Sequence, residues 1–232
     1  MIDPDAPGTR ADPRSYALSA GSKRLLDAIA VWPALAAEAQ PVSGIDITDS
    51  ALTDAIRPIL LSYGTEVAEG EPGMWIVPAS ALHRAVAAAV VDAGGIARIS
   101  GAAIGLASDT AGSTVTLAGG GRVRAGLVVA CDGRQSPLRD ASGIKTVNWR
   151  YAQTGIVTTV RHERPHGGRA IQHFLPGGPF AILPLTDNRS CVTWTEEEGE
   201  ARSNNGSGIG SAPWSWPDHA PDGRSRCISQ ES

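Results

Sequence analysis

The chain has 232 residues, of which 42% are hydrophobic and 19% charged, a composition typical of a globular protein large enough to bury a core. Its formal net charge of −4 argues against a general binder of nucleic acid or of anionic membranes. The cysteines, Cys131, Cys191 and Cys227, are odd in number and far apart, which indicates neither a disulfide framework nor a zinc site. We therefore expect a cytoplasmic protein, since no apolar run reaches the roughly 18 residues of a spanning helix.

Hydrophobic periodicity predicts the elements of the first half of the chain. Apolar residues at helical spacing predict helices, and short apolar or alternating stretches predict strands. The helix predicted at 81–93 has a favourable N-cap in Ser80, and Gly94 directly after it is a typical stop signal. The predicted elements are a helix at 20–29, a helical turn at 34–39, paired strands at 45–48 and 58–63, and a helix at 81–93.

The second half of the chain is predicted to be mostly strands. A strand at 96–100 precedes a small meander at 103–124. Residues 127–130 form a continuous apolar run, which is typical of a strand buried on both faces of a parallel sheet. Tight turns then separate the strands of an antiparallel sheet, predicted at 156–160, 170–174, 180–183 and 191–195.

Composition changes sharply after Glu198. The tail is rich in glycine, serine and proline, so it buries too little apolar surface to offset the entropy lost on ordering. We predict that residues 199–232 are disordered. The abrupt end of the pattern is also typical of a frameshifted or mispredicted gene end.

The stretch LVVACDGRQSPLRDASGI, residues 127–144, carries most of the chemical information. Asp132 and Gly133 form a turn after the apolar run, and Ser136 is placed to cap a short helix. Such a turn directs backbone N–H groups towards a phosphate, and Arg134 and Arg139 add positive charge. From the residues alone, an ordinary capped turn and a diphosphate site explain this stretch equally well.

The same stretch resembles the Asp-Gly fingerprint of FAD-dependent aromatic hydroxylases. Further segments resemble, in the same order, the ubiquinone-biosynthesis branch of that group, the 2-polyprenylphenol and 2-octaprenyl-6-methoxyphenol hydroxylases. The resemblance covers about residues 1–198. Its segments are DPRSYALSAGSKRLLDAIAVWPAL at 12–35, IDITDS at 45–50, RPILLSY at 57–63, ALHRAV at 81–86 and GPFAILPL at 178–185.

The resemblance implies a mixed α/β fold with two interleaved domains. An incomplete Rossmann-like FAD-binding domain would comprise residues 1–40 and 80–150. An antiparallel-sheet substrate domain would comprise residues 41–79 and 151–198. The family's opening GxGxxG turn and its later Gly-Asp segment have no counterpart in this chain, so we expect a copy truncated at both ends that carries little or no flavin when purified.

The resemblance also implies a set of cofactor-binding residues. Asp3 matches the acidic residue that holds the adenosine ribose, and Arg14, assisted by Ser15, matches an arginine placed against the diphosphate and the flavin. The Asp-Gly turn would bring its backbone close to FAD. Its candidate residues are Cys131, whose thiol we expect to be inert and buried, and Asp132, Gly133, Arg134 and Ser136.

The activity implied is that of an oxidoreductase, a flavoprotein monooxygenase. FAD, reduced by NAD(P)H, would activate dioxygen to hydroxylate the ring of a polyprenylphenol, and no side-chain nucleophile is required, so no catalytic residue is assigned. His162 and His166 are interpreted as part of a polar turn rather than as metal ligands. Expected partners are the polyprenylphenol and other ubiquinone-biosynthesis proteins, with peripheral contact at the inner membrane and no nucleic acid.

Two alternatives stay open. One is an inactive fragment, or a ligand-binding remnant, that does not hold FAD. The other is a related flavin hydroxylase of a soluble aromatic compound.

Overall fold

The structure, a computed structural model, describes residues 1–4, 12–50, 58–199 and 227–231. The first part of the chain contains both helices and strands. They are β1 (Ile2–Asp3), β2 (Ser15–Ser19), α1 (Ala20–Ala28), α2 (Trp32–Leu35), β3 (Gln40–Pro41), β4 (Gly44–Asp49), β5 (Ile59–Gly64), β6 (Met74–Pro78) and α3 (Ala79–Asp92).

Strands dominate the remainder. They are β7 (Ile99–Ser100), β8 (Ala103–Asp109), β9 (Gly112–Leu117) and β10 (Arg122–Ala125), then the short helix α4 (Pro137–Ala141), followed by β11 (Gln153–His162), β12 (Arg169–Leu175), β13 (Gly178–Leu185), β14 (Arg189–Glu197) and β15 (Cys227–Glu231). None of the helices in the described ranges is long and apolar enough to cross a membrane.

One compact unit comprises residues 1–10 and 90–150. Its strands β1 and β7 pair in parallel, with Ile2 opposite Ile99. Strands β8, β9 and β10 form an antiparallel meander in which β9 is central, and Val115 of β9 is buried. Helix α4 packs against β8.

The other unit comprises residues 11–89 and 151–232. Its large sheet has seven strands in the order β15-β11-β14-β13-β12-β4-β5. All neighbours pair antiparallel except β12 and β4, which are parallel. A second sheet of three strands, in the order β2-β6-β3, lies in the same unit.

Apolar residues of β6 join the two sheets of this unit to its helices. Trp75 and Val77 pack with Leu35 and the buried alanines of α3, and the Trp75 ring meets the Trp32 ring edge-on at 5.5 Å. Ile76, which points to the opposite face of the strand, packs with the large sheet at Leu185. Because side chains alternate between the two faces of β6, this strand contributes to two hydrophobic cores.

Most of the predicted elements are confirmed. The helix at 81–93, the paired strands at 45–48 and 58–63, the meander and the antiparallel sheet all occur, with small shifts at their ends. Ser80 is not an N-cap, because α3 begins at Ala79 directly after β6. The Ala79 N–H donates to the Arg14 carbonyl at 2.9 Å, so the chain itself supplies the partner that a cap would have offered.

The prediction of a buried strand at 127–130 is wrong. In the structure these residues belong to no strand, and the exposed fractions of Leu127 and Val129 are 79% and 73%. A parallel strand exists only where a neighbour completes its ladder of hydrogen bonds, and no described strand lies alongside this run. The predicted strand at 96–100 is reduced to β7 for the same reason, since only its last two residues meet β1.

The predicted disorder of the tail does not hold for Cys227–Glu231, which pair with β11 as β15. Main-chain hydrogen bonds at the edge of a sheet do not require apolar side chains, so composition gave no signal for this strand. Residues 200–226 and 232, which make up the rest of the predicted tail, lie outside the described residues. The predicted division into a FAD domain and a substrate domain stays a prediction.

Candidate functional site

Arg14 lies immediately before β2, and its side chain is held by Asp12 through two hydrogen bonds. Its Nε donates to Oδ1 of Asp12 at 2.8 Å, and its Nη2 donates to Oδ2 at 2.6 Å. Oδ1 also accepts the backbone N–H of Arg14 at 3.1 Å, which closes a tight turn between the two residues. The carboxylate is almost covered, with 5% of its side chain exposed, whereas 56% of the Arg14 side chain is exposed.

Aromatic side chains support this ion pair. The guanidinium carbon of Arg14 lies 5.9 Å from the centre of the Tyr16 ring. The Tyr16 ring in turn meets the ring of His83, on α3, edge-on at 6.2 Å. Arg14 therefore has a fixed main chain, a fixed Nε edge and a flat surface beneath it.

The ion pair sets the charge state of the cluster. Hydrogen bonds from the Arg14 side chain are the largest cause of a pKa of about 2 for Asp12, and the nearby His83 lowers it slightly further. The carboxylate is thus ionised at every pH at which the protein is expected to work. Among the residues that the structure describes, Nη1 of Arg14 has no hydrogen-bond partner, so this edge of the guanidinium faces solvent.

The Asp-Gly turn forms, but its polar side chains close on the helix that follows. The Ser136 hydroxyl donates to Oδ1 of Asp132 and accepts the N–H of Arg139 at 3.0 Å. The other carboxylate oxygen of Asp132 accepts the N–H of Leu138 at 3.1 Å. The hydrogen bond from Ser136 is the main reason that the pKa of Asp132 is lowered.

These contacts bear on the two alternatives that the sequence left open for the turn. A diphosphate site would use the first N–H groups of α4, whereas Leu138 and Arg139 donate theirs to Asp132 and Ser136. Pro137 has no N–H to offer. The N-terminus of α4 therefore acts as a self-capped end, which agrees with the ordinary capped turn that the sequence left open.

The remaining candidates of the turn are placed as follows. Gly133 adopts a φ of +85°, a left-handed conformation that favours glycine. The Arg134 carbonyl accepts a hydrogen bond from Arg139 Nη1 at 2.9 Å. Cys131 is exposed, so the expectation of a buried thiol is wrong, because the run before it does not enter a sheet.

Asp3 and Ser15 both lie on strands. Asp3 is the last residue of β1, as expected for an acidic residue at a strand end, and its carbonyl accepts the Gly101 N–H at 3.1 Å. Ser15 is the first residue of β2 and pairs with Pro78 of β6. Asp3 belongs to the first unit and Ser15 to the second.

His162, the last residue of β11, and His166, in the connection that follows, make separate hydrogen bonds. His162 Nε2 lies 2.8 Å from the Ser190 hydroxyl, and burial lowers the pKa of His162. His166 Nδ1 accepts the Gly168 N–H at 2.9 Å, so its Nε2 carries the proton and donates to the Leu185 carbonyl at 2.9 Å. The described ranges contain no group of three metal-ligating side chains.

Sequence reasoning missed a buried polar cluster between β4 and β12. Arg169 makes a two-point ion pair with Asp46 and also donates to the Ser62 hydroxyl at 2.8 Å. Two residues along, Thr48 hydrogen bonds to His173. Only 7% of the Asp46 side chain is exposed. The partners are 123 residues apart in the chain, so no local spacing could have revealed them.

Asp12 was also missed, although a signal for it was present. An aspartate two residues before an arginine, in a short Asp-Pro-Arg sequence, is typical of a turn in which the carboxylate bonds the following backbone.

Comparison with known proteins identifies the family. The FAD binding domain family matches residues 2–206. The chain belongs to this family. Ubiquinone hydroxylase UbiL of Rhodospirillum rubrum is 40% identical over 186 residues, which are 80% of this chain and 42% of that protein. The 3-demethoxyubiquinol 3-hydroxylase of Escherichia coli is 31% identical over 198 residues, 82% of this chain and 48% of that protein.

Solved structures confirm the mixed α/β fold class. PqsL of Pseudomonas aeruginosa, described as a probable FAD-dependent monooxygenase, superposes with a TM-score of 0.70 over 87% of this chain and 54% of its own, at 17% identity. The chain spans about half the length of the relatives that it matches. Membership of the ubiquinone-hydroxylase branch, expected from the sequence, is confirmed by UbiL and the E. coli enzyme.

The family implies FAD, and the residues present fit it in one place and not in another. The exposed Nη edge of Arg14 fits a diphosphate, because a fixed guanidinium binds phosphate oxygens with directed hydrogen bonds. The N-terminus of α4 does not fit, because Asp132 puts a carboxylate where an anion would have to bind.

Proposed function

We propose that this chain is part of an FAD-dependent monooxygenase that hydroxylates the aromatic ring of a polyprenylphenol in ubiquinone biosynthesis. The observation that carries the proposal is the 40% identity to the ubiquinone hydroxylase UbiL over 80% of this chain. The E. coli 3-demethoxyubiquinol 3-hydroxylase, which matches nearly the same share of the chain, supports the same reaction class.

In this proposal Arg14 is the diphosphate-binding residue. Bound FAD supplies the redox chemistry, with NAD(P)H as the reductant and dioxygen as the source of the hydroxyl oxygen. Arg14 neutralises the diphosphate and orients it, with Ser15 beside it on β2. Asp3 accepts hydrogen bonds from the adenosine ribose, while Asp132 and Ser136 shape the Asp-Gly turn with Cys131, Gly133 and Arg134.

The proposal extends to the surroundings of the protein. The acidic net charge gives no basis for electrostatic attachment to an anionic bilayer. Contact with the inner membrane from the cytoplasmic side would therefore be peripheral, made through the lipid-like substrate and through other ubiquinone-biosynthesis proteins.

The test is a turnover assay with the chain, added FAD, NADH or NADPH, and either a prenylated phenol or a soluble phenol. We expect nicotinamide oxidation to be stimulated by the prenylated phenol, with a product one oxygen atom heavier. Stimulation by the soluble phenol alone would favour the hydroxylase of a soluble aromatic. A folded chain that binds no FAD would contradict the proposal.

A second candidate function is a remnant that does not hold FAD. Two observations support it: the run at 127–130 is exposed and belongs to no strand, and the first N–H groups of α4 already have side-chain partners. Flavin absorbance of the purified chain separates the candidates. Stoichiometric FAD would exclude the remnant, and a colourless preparation that also binds no added FAD would establish it.

A further inference from the structure

We infer that Asp12 is the positioning residue of Arg14, and that it acts by holding the guanidinium so that its free edge meets the diphosphate of FAD. This inference rests on the proposed function, because it assigns Arg14 to FAD. Asp12 itself does not touch the cofactor. The inference concerns a residue that neither composition nor the family resemblance singled out.

The first step of the argument is that the main chain at Arg14 is already fixed. The Arg14 carbonyl accepts the N–H of Ala79, the first residue of α3, at 2.9 Å. The next residue, Ser15, begins the pairing of β2 with β6. Only the side chain of Arg14 therefore has freedom to lose when it binds a ligand.

The second step is that Asp12 removes most of that freedom. A free arginine side chain samples many rotamers, and it loses this rotamer entropy when it binds a ligand. In this structure Asp12 accepts hydrogen bonds from Nε and Nη2 of Arg14, and the Tyr16 ring lies under the guanidinium. Both contacts orient the group in the absence of a ligand, and they leave Nη1 on the solvent side.

The third step is electrostatic. A carboxylate beside a cation that must bind a diphosphate weakens the binding by charge alone. Asp12 is ionised near neutral pH, since hydrogen bonds from the Arg14 side chain lower its pKa to about 2. Its two-point geometry and near-complete burial are thus the features that a positioning role requires and that an accidental surface ion pair lacks.

Charge and geometry predict opposite changes in FAD affinity when Asp12 is neutralised, so the direction of the change tests the inference. In Asp12→Asn, the residue keeps its shape but loses its charge and one acceptor. If Asp12 acted by charge alone, removal of the negative charge would tighten FAD binding. If Asp12 positions Arg14, binding weakens, and we expect the Kd for FAD, measured by titration of flavin fluorescence, to rise at least fivefold.

The matched control is Glu71→Gln. Glu71 also accepts two hydrogen bonds from one arginine, Arg24, at 2.7 and 2.9 Å, and this pair lies in the same unit of the protein. The Arg24–Glu71 pair has no assigned role in the site, so Glu71→Gln should leave the Kd for FAD within twofold of the wild-type value. Thermal unfolding of both variants shows whether each remains folded.

A second readout follows the Arg14 side chain directly. The Nε–H resonance of Arg14 should exchange with water faster in Asp12→Asn than in the wild-type chain, with or without FAD. In an Arg14→Met background, Asp12→Asn should no longer weaken FAD binding. An unchanged or tighter Kd in a folded Asp12→Asn chain would overturn the inference and leave the proposed function standing.

Failure of the proposed function gives a different result. A folded wild-type chain that shows no FAD binding at all would overturn both, because Arg14 would then have no diphosphate to meet. Faster exchange at Nε together with an unchanged Kd overturns only the positioning role.

Discussion

Ser136 and Asp132 illustrate how single side chains decide whether a helix end is open or closed. Each accepts a main-chain N–H of α4, and the Ser136 hydroxyl also stabilises the charged form of Asp132. The residue types in this turn are compatible with a phosphate site and with a self-capped helix. Only the side-chain rotamers distinguish the two, and local sequence does not specify them.

At Ser136, replacement by alanine should have two effects. The free energy of unfolding should fall by about 1 kcal/mol, because an N-cap is lost. The pKa of Asp132 should rise towards its ordinary value, since the hydrogen bond from Ser136 is the largest cause of its lowering. Urea unfolding and a carbon-13 NMR titration of the Asp132 carboxyl measure these effects.

Ser142→Ala is the control for this variant. Its hydroxyl donates to the Leu138 carbonyl at 2.7 Å, at the other end of the same helix, and does not touch Asp132. The pKa of Asp132 should be unchanged in Ser142→Ala. An equal rise of that pKa in both variants would mean that helix fraying, not the Ser136 hydroxyl, controls the carboxyl group.

At the scale of elements, sequence patterns predicted those helices and hairpins that are stabilised by interactions between residues near in the chain. The α3 helix, the β8–β10 meander and the hairpins from β12 to β14 connect neighbours in the chain, so apolar periodicity and turn residues were sufficient to find them. The strand at 127–130 was predicted wrongly, because its existence depends on partners distant in sequence. The pairing of β4 with β12 was not predicted, since it joins residues more than 120 positions apart.

The buried ion pair at that β4–β12 junction leads to a prediction about stability. Arg169→Met removes the arginine partner of the buried Asp46 carboxylate, and we expect a loss of about 3 kcal/mol at pH 7.5. Burial should then raise the pKa of Asp46 above its unfolded value, so the folded state would bind the proton more tightly. The loss should therefore shrink as the pH falls towards about 4.5.

Urea unfolding at the two pH values measures this change. Arg124→Met is the control, since Arg124 makes a comparable two-point contact with Asp109 between exposed side chains. We expect a loss of at most about 1 kcal/mol there. Equal losses in the two variants would show that the burial of Asp46 does not matter to stability.

At the scale of the whole molecule, the residues proposed to bind FAD are found in both units. Arg14 and Asp12 belong to one unit, whereas Asp3 and the Asp-Gly turn belong to the other. The FAD family was predictable from five separated segments, because several motifs in one order are far more specific than a single turn. The state of each site residue was not predictable, since it depends on which groups the fold brings within hydrogen-bond reach.

The run at 127–130 has a consequence for the protein in solution. These four consecutive apolar residues pair with no strand in the part of the chain that the structure describes, so they offer a template for strand pairing between molecules. We expect Val129→Lys to slow the growth of light scattering in concentrated, reduced samples. The control is Leu25→Lys, which removes an exposed apolar side chain from α1, where the main chain is hydrogen bonded within the helix, and it should not slow the growth. Equal slowing in both variants would indicate nonspecific hydrophobic association.

Protein concentration should therefore determine the association state of the chain in a given preparation. If the run pairs as expected, the share of associated chains should rise with protein concentration, since pairing requires two molecules to meet. A different polypeptide that covered that run would keep the chain soluble, because it would occupy the edge through which copies pair. Any measurement on this chain should therefore be repeated across a dilution series before it is ascribed to the monomer.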